Sequence, residues 1–94
     1  MSVERRREIE EGLATIGRIK VLAELAKKPN ESYTKYAILK GTGLKRKDVG
    51  ENLKHLVRIN WVKEHRMVHP RYQINLDNHT VRLLYRFLKD SGYI

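Results

Sequence analysis

The residues whose types and spacing could do chemistry lie between Lys45 and Arg58. At about 100° per residue, Val49, Leu53, Leu56 and Val57 fall on one stripe of a helix, and Lys47, Glu51, Lys54 and Arg58 fall on the opposite one. Such a helix docks by its aliphatic side and presents a mostly cationic side outward. The whole chain is basic too, with 20 Lys+Arg against 11 Asp+Glu, a formal net charge of +9 and a pI near 10.0. That balance suits a polyanion, either nucleic acid or an anionic membrane surface, without choosing between them.

Other chemistries fail on spacing. His55, His65, His69 and His79 include one i, i+4 pair, but His65 and His69 fall in a hairpin pattern where that spacing does not converge on a metal. Gly41-Thr42-Gly43-Leu44-Lys45 superficially resembles a phosphate loop, yet it follows a helix rather than a strand and lacks the full glycine-to-lysine spacing. No nucleophile, base and orienting acid form a set, so no catalytic residue, metal or cofactor is expected. Ninety-four residues close one small core, leaving no room for a second domain or a deep enclosed cavity, and no small-molecule ligand is evident. The absence of cysteine excludes disulfides and thiolate metal sites. No apolar run approaches the roughly 18 residues of a membrane span, and the chain opens with Glu4-Arg5-Arg6-Arg7-Glu8 where a signal peptide has its apolar core. A cytoplasmic, nucleoid-associated protein with no membrane partner is expected.

The elements that must position the cationic helix emerge from periodicity and punctuation. One domain, 1–94, divides into a charged N-terminal extension (1–12), a core (13–76) and a C-terminal helix (79–94). The charged run from Ser2 to Glu11 reads as a solvated helix in which Glu8, Glu10 and Glu11 pair with Arg5, Arg6 and Arg7. The alternative is a basic arm reaching into a minor groove. Leu13, Ile16, Ile19, Ala23 and Ala26, widened by Leu22 and Leu25, predict a helix over 13–28 that stops at Lys27-Lys28-Pro29-Asn30. Glu31-Ser32-Tyr33 reads as an extended bridge leading to Thr34, the N-cap of a short helix over 35–40. Gly41-Thr42-Gly43 ends that helix in a left-handed turn, and the cationic helix occupies 45–59. Gly50 inside it costs about 1 kcal/mol against alanine and implies close approach of another backbone, either a ligand's or that of the preceding helix. Trp61 pins the hairpin segment to the core. Residues 61–67 and 71–76, joined at His69-Pro70, form an antiparallel hairpin with a basic tip and with Tyr72, Ile74 and Leu76 on one face. Tyr33, Tyr36 and Tyr72 read as lids over the core, with phosphate contact as the alternative.

The last helix, over 81–90, carries an apolar arc of about 200°, against the roughly 100° that one core requires. Val81, Leu84, Tyr85 and Leu88 form the stripe expected to bury against a second copy of the chain, making a homodimer.

The run Ala37-Ile38, Gly43-Leu44, Val49, Leu53, Leu56, Trp61-Val62, in this order of elements, resembles the DNA-binding core of small bacterial and archaeal regulators of the ArsR and MarR type. The resemblance covers residues 16–76. It implies an α+β fold, mainly α with a small β-hairpin: a winged helix-turn-helix with an additional C-terminal helix. It also implies that 45–58 is a recognition helix entering the major groove of double-stranded DNA, and that 66–71 is a wing on the backbone or minor groove. The recognition surface would then be Lys45, Arg46, Lys47, Gly50, Glu51, Lys54 and Arg58. Arg46 and Lys47 suit guanine O6 and N7, and Glu51 suits cytosine N4, although pairing along the helix with contact only to phosphates uses the same residues. Lys63, His65, Arg66, His69 and Arg71 would supply the wing's phosphate contacts. Lys45 stands where such regulators often carry a capping Ser or Thr. Three functions remain open: a sequence-specific homodimeric transcriptional regulator, a non-specific nucleoid-associated protein, and an interaction module within a nucleoprotein complex.

Overall fold

The chain packs its elements around a cluster built from Leu22, Leu25, Ile38, Val49, Leu53, Leu56, Trp61, Ile74 and Val81, all buried. The computed structural model describes residues 3–94, so Ser2, the first residue of the charged run, lies outside the described residues. In chain order the elements are α1 (Val3–Gly12), α2 (Ile16–Ala26), β1 (Tyr33–Thr34), α3 (Lys35–Thr42), α4 (Arg46–Arg58), β2 (Val62–His65), β3 (Arg71–Ile74) and α5 (His79–Asp90).

The expected first helix begins later than its apolar period implied. Thr15 interrupts the helix because its hydroxyl caps α2, accepting from the Arg18 amide at 3.1 Å, so Leu13 falls in the turn and Ile16 opens the helix 70% exposed. Leu22, Ala23, Leu25 and Ala26 are buried as the period implied, joined by Val21. In α1, Arg6 pairs with Glu10 at 3.9 Å as the solvated-helix reading requires. Glu8 and Glu11 instead reach the body of the molecule. Glu8 Oε2 accepts from Trp61 Nε1 at 2.6 Å, and Gly12 lies so close to the indole that a Cβ there would stand 2.2 Å from ring atoms. Trp61 therefore pins α1 as well as the hairpin.

Local punctuation shapes the centre of the fold. Thr34 Oγ accepts from the Ala37 amide at 3.1 Å, capping α3, which runs two residues past the expected Lys40. Gly43 then takes φ 74°, with its N–H donating to Leu39 O at 2.9 Å. Helix α4 starts at Arg46 with no side-chain cap from Lys45, and Asp48 in its first turn offsets part of that loss by facing the positive end of the helix dipole. Asn60, at φ 67°, stops it, and the Trp61 amide donates back to Leu56 O at 2.9 Å.

The sheet has three strands in the order β1-β3-β2, both pairings antiparallel. The short bridge before α3 thus completes a sheet that the hairpin alone would leave two-stranded. Tyr72 and Ile74 alternate inward as expected, and Leu76 packs at the core's edge.

Helix α5 turns the expected dimer stripe toward its own core. Val81 is 0% and Leu88 2% exposed, and Leu84 and Tyr85 pack half-buried on the same cluster. Val81 and Leu88 are therefore not available to a second subunit. The reason is that α5 packs on α2 by this face; Asn78 sets only where the helix starts, its Oδ1 accepting from the amides of Thr80 at 2.9 Å and Val81 at 3.2 Å. The surplus apolar surface is the neighbouring pair Leu83 and Phe87, 55% and 64% exposed. Among the described residues, no helix is long and apolar enough to cross a membrane.

Candidate nucleic-acid interface

Helix α4 owes its attitude to the side chains behind it. Val49, Leu53 and Leu56 enter the core beside Asn52, a buried amide whose Oδ1 accepts from Thr15 Oγ at 3.4 Å and from Arg18 Nε at 3.3 Å. A buried amide left without those partners would cost about 1–3 kcal/mol, so the pairing fixes the rotation of α4 about its axis more tightly than aliphatic packing alone. The opposite face carries Lys47, Glu51 and Lys54, with Lys45 and Arg46 at the N-terminal end, all exposed. Four of these five residues are cationic.

Two of the expected helix residues behave differently from the rest. The Arg58 guanidinium is paired with the Glu11 carboxylate of α1, which also lies 3.3 Å from His55 Nδ1, so Arg58 ties α1 to the C-terminal end of α4 rather than standing as a free cation. An exposed pair of this kind contributes at most about 1 kcal/mol, but it sets where the charge points. Gly50 has no atom within 4 Å of the position a Cβ would take, which rules out α3 as the backbone it was expected to meet.

Most cations of the hairpin are stitched into the sheet. Arg71 donates through Nε to Ser32 Oγ at 2.9 Å and through Nη2 to Ser32 O at 2.8 Å. Lys63 Nζ lies 2.8 Å from Asp77 Oδ2, and its hydrogen bond and charge hold the Asp77 carboxyl below the usual carboxylate range. His65 Nε2 lies 3.0 Å from Gln73 Oε1, and Gln73 donates in turn to Pro29 O at 3.1 Å. The structure thus does not gather the five wing residues at one surface. Only Arg66 and His69 project from the tip, Arg66 within 3.7 Å of Glu64, and they share it with exposed Met67 and Val68. No group of three or more His, Asp or Glu that could hold a metal occurs among the described residues.

Of the three tyrosines read as lids, Tyr33 is half-buried and Tyr72 buried, and burial raises both hydroxyl pKa values. Tyr36 does not fit that reading. It stands exposed on α3 with Lys40 Nζ 5.9 Å from its ring centre, and with Lys35, Leu39 and Arg46 it lines a hollow of about 190 Å³. Sequence reasoning also passed over Lys35, which stands exposed beside the same end of α4. Its position just after the Thr34 cap was the available signal, because the first turn of α3 must lie next to the helix it precedes.

No protein-family model matches the chain, and no curated protein matches it. Solved structures do. The homodimeric winged helix-turn-helix DNA-binding domain of a possible ArsR-family transcriptional regulator from Mycobacterium bovis is 21% identical, with 96% of this chain and 80% of that one covered at a TM-score of 0.73. A crystal structure of a possible transcriptional regulatory protein from the same organism is 20% identical over 98% of this chain and 95% of that one, also at 0.73. NolR from Sinorhizobium fredii is 21% identical over 98% and 95%, at 0.66. Identities this low speak for architecture alone, and that architecture agrees with the element order, the Gly43 turn and the three-stranded sheet: the chain is a winged helix-turn-helix.

Proposed function

We propose that the protein is a homodimeric, sequence-specific transcriptional regulator that binds double-stranded DNA with α4 in the major groove and the 66–71 wing on the backbone or minor groove. The observation that carries this reading is the exposed face of Lys45, Arg46, Lys47, Glu51 and Lys54 on a helix whose rotation is locked from behind by Asn52. A helix presented rigidly, with donors and one acceptor on its outer face, has the means to read base edges as well as phosphates. Lys54, Arg66 and His69 serve the backbone, joined by Lys63, His65, Arg71 and Arg58 only to the extent that they leave their present partners. No catalytic role, cofactor or small-molecule ligand enters the proposal, and a cytoplasmic, nucleoid-associated location accords with it.

Dimerisation is supported by Leu83 and Phe87, one turn apart on α5, beside a groove of about 540 Å³ whose wall includes Leu76, Leu83 and Tyr85. The Mycobacterium bovis neighbour is itself homodimeric. A second copy would bring two α4 helices to successive major grooves about 34 Å apart.

Footprinting and gel retardation on genomic fragments and random duplexes test the reading. A protected, near-palindromic site that survives competitor DNA is the expected result. Uniform protection would replace it with an architectural role, and failure to retard any duplex at about 50 mM salt would leave protein interaction as the function.

A further inference from the structure

Gly50 is the fifth residue of a 13-residue helix, where glycine is less stable than alanine. Nothing among the described residues calls for it. Its φ is not in the left-handed region, and a Cβ there would meet no atom within 4 Å, whereas a Cβ at Gly12 would collide with the Trp61 ring. Gly50 borders a notch of about 320 Å³ between α4 and the sheet. Leu53 and Val57 give the notch an aliphatic wall, and Lys35 and Lys54 bring ammonium groups to it. Glu64 lies on the side of the sheet, with the Tyr72 hydroxyl donating to it at 3.2 Å and Arg66 Nε 3.7 Å away.

We infer that this notch seats one sugar–phosphate strand of the duplex, with Gly50 as the clearance that lets the strand lie against α4 and with Lys35 and Lys54 holding its phosphates. The inference rests on the DNA-binding reading and adds to it a contact residue, Lys35, and a reason for the glycine. A deoxyribose presents carbon to Val57, the partly exposed aliphatic side chain of the notch, while its flanking phosphates meet the two lysines, so the alternation of the strand matches that of the notch. Glu64 is already engaged by a hydroxyl and a guanidinium, which reduces its repulsion of a passing phosphodiester.

The test compares wild type with Gly50→Ala, Gly50→Leu and Lys35→Ala by thermal melting and by anisotropy titration of labelled random-sequence duplexes at several salt concentrations. Gly50→Ala is expected to melt about 4 °C higher and yet bind about tenfold more weakly, with Gly50→Leu weaker still. Lys35→Ala is expected to lower the slope of log affinity against log salt by about one. Gly50 variants that bind as tightly as wild type overturn the inference while leaving DNA binding intact. A Gly50→Ala protein that melts lower than wild type also overturns it, by revealing an internal need for the glycine. Wild type that retards no duplex removes the DNA-binding reading itself, a failure visible before any variant is made.

Discussion

Helices α4 and α5 meet the same core in the same way and differ in what they leave outside. Each buries an aliphatic stripe, Val49, Leu53 and Leu56 on α4 and Val81 and Leu88 on α5, and each is succeeded by a residue that folds back on the last turn. Outside, α4 shows Lys47, Glu51 and Lys54, whereas α5 shows Leu83 and Phe87 between Arg82, Arg86 and Lys89. The inner faces obey one requirement, volume and apolarity, and are interchangeable in kind. The two helices differ in the surplus that the core does not need: charge on one helix and hydrocarbon on the other.

Experiments that exchange inner and outer positions break or sharpen this contrast. The largest effect is expected from Leu53→Ala and Leu88→Ala, each lowering unfolding free energy by about 2–5 kcal/mol in urea titrations. Leu88→Ala that leaves stability unchanged while dissociating a dimer would return Leu88 to the interface. Next comes Leu83→Glu with Phe87→Glu, which should leave the monomer's far-ultraviolet circular dichroism intact while sedimentation shows self-association weakened by more than about 2 kcal/mol. Arg46→Ala should cost about 1–3 kcal/mol of DNA binding and relax base preference at one position, whereas Lys54→Ala should weaken all sequences alike and reduce the salt slope by about one. Equal effects on all sequences from both would mean that α4 touches only phosphates. The smallest effect concerns Asp77. Its carboxyl is held below its ordinary value of 3.8 by Lys63, so its contribution is present above that pH and is lost as the pH falls through the lower folded value. Asp77→Asn should therefore remove that small contribution near neutrality and flatten the acid limb of the stability profile in that window, leaving stability unchanged below the folded value.

Legibility in the sequence divides by range. Thr34 and Gly43 act on backbone groups within a few residues, and the alternation of Tyr72 and Ile74 needs no partner to be seen, so each was legible. The α4 stripe was legible for the same reason. Partners distant in sequence were not. Nothing local marks Arg71 for Ser32, Arg58 for Glu11 or Lys63 for Asp77, and without those partners the three read as free cations. Helix α5 shows a different limit: a wide apolar arc states how much surface must be covered but not which part its own core takes, and that choice falls to the packing of α5 against α2. The break at Thr15 was hidden because Leu13 and Ile16 continue the helical period straight through it.

Trp61 is the chain's single tryptophan, and its ring lies beneath Gly12 with its N–H held by Glu8. Its ultraviolet emission is consequently a built-in gauge of whether α1 is seated. Lifting α1 would wet the indole and shift its fluorescence to longer wavelength, so seating can be tracked during folding or across a titration with no label attached.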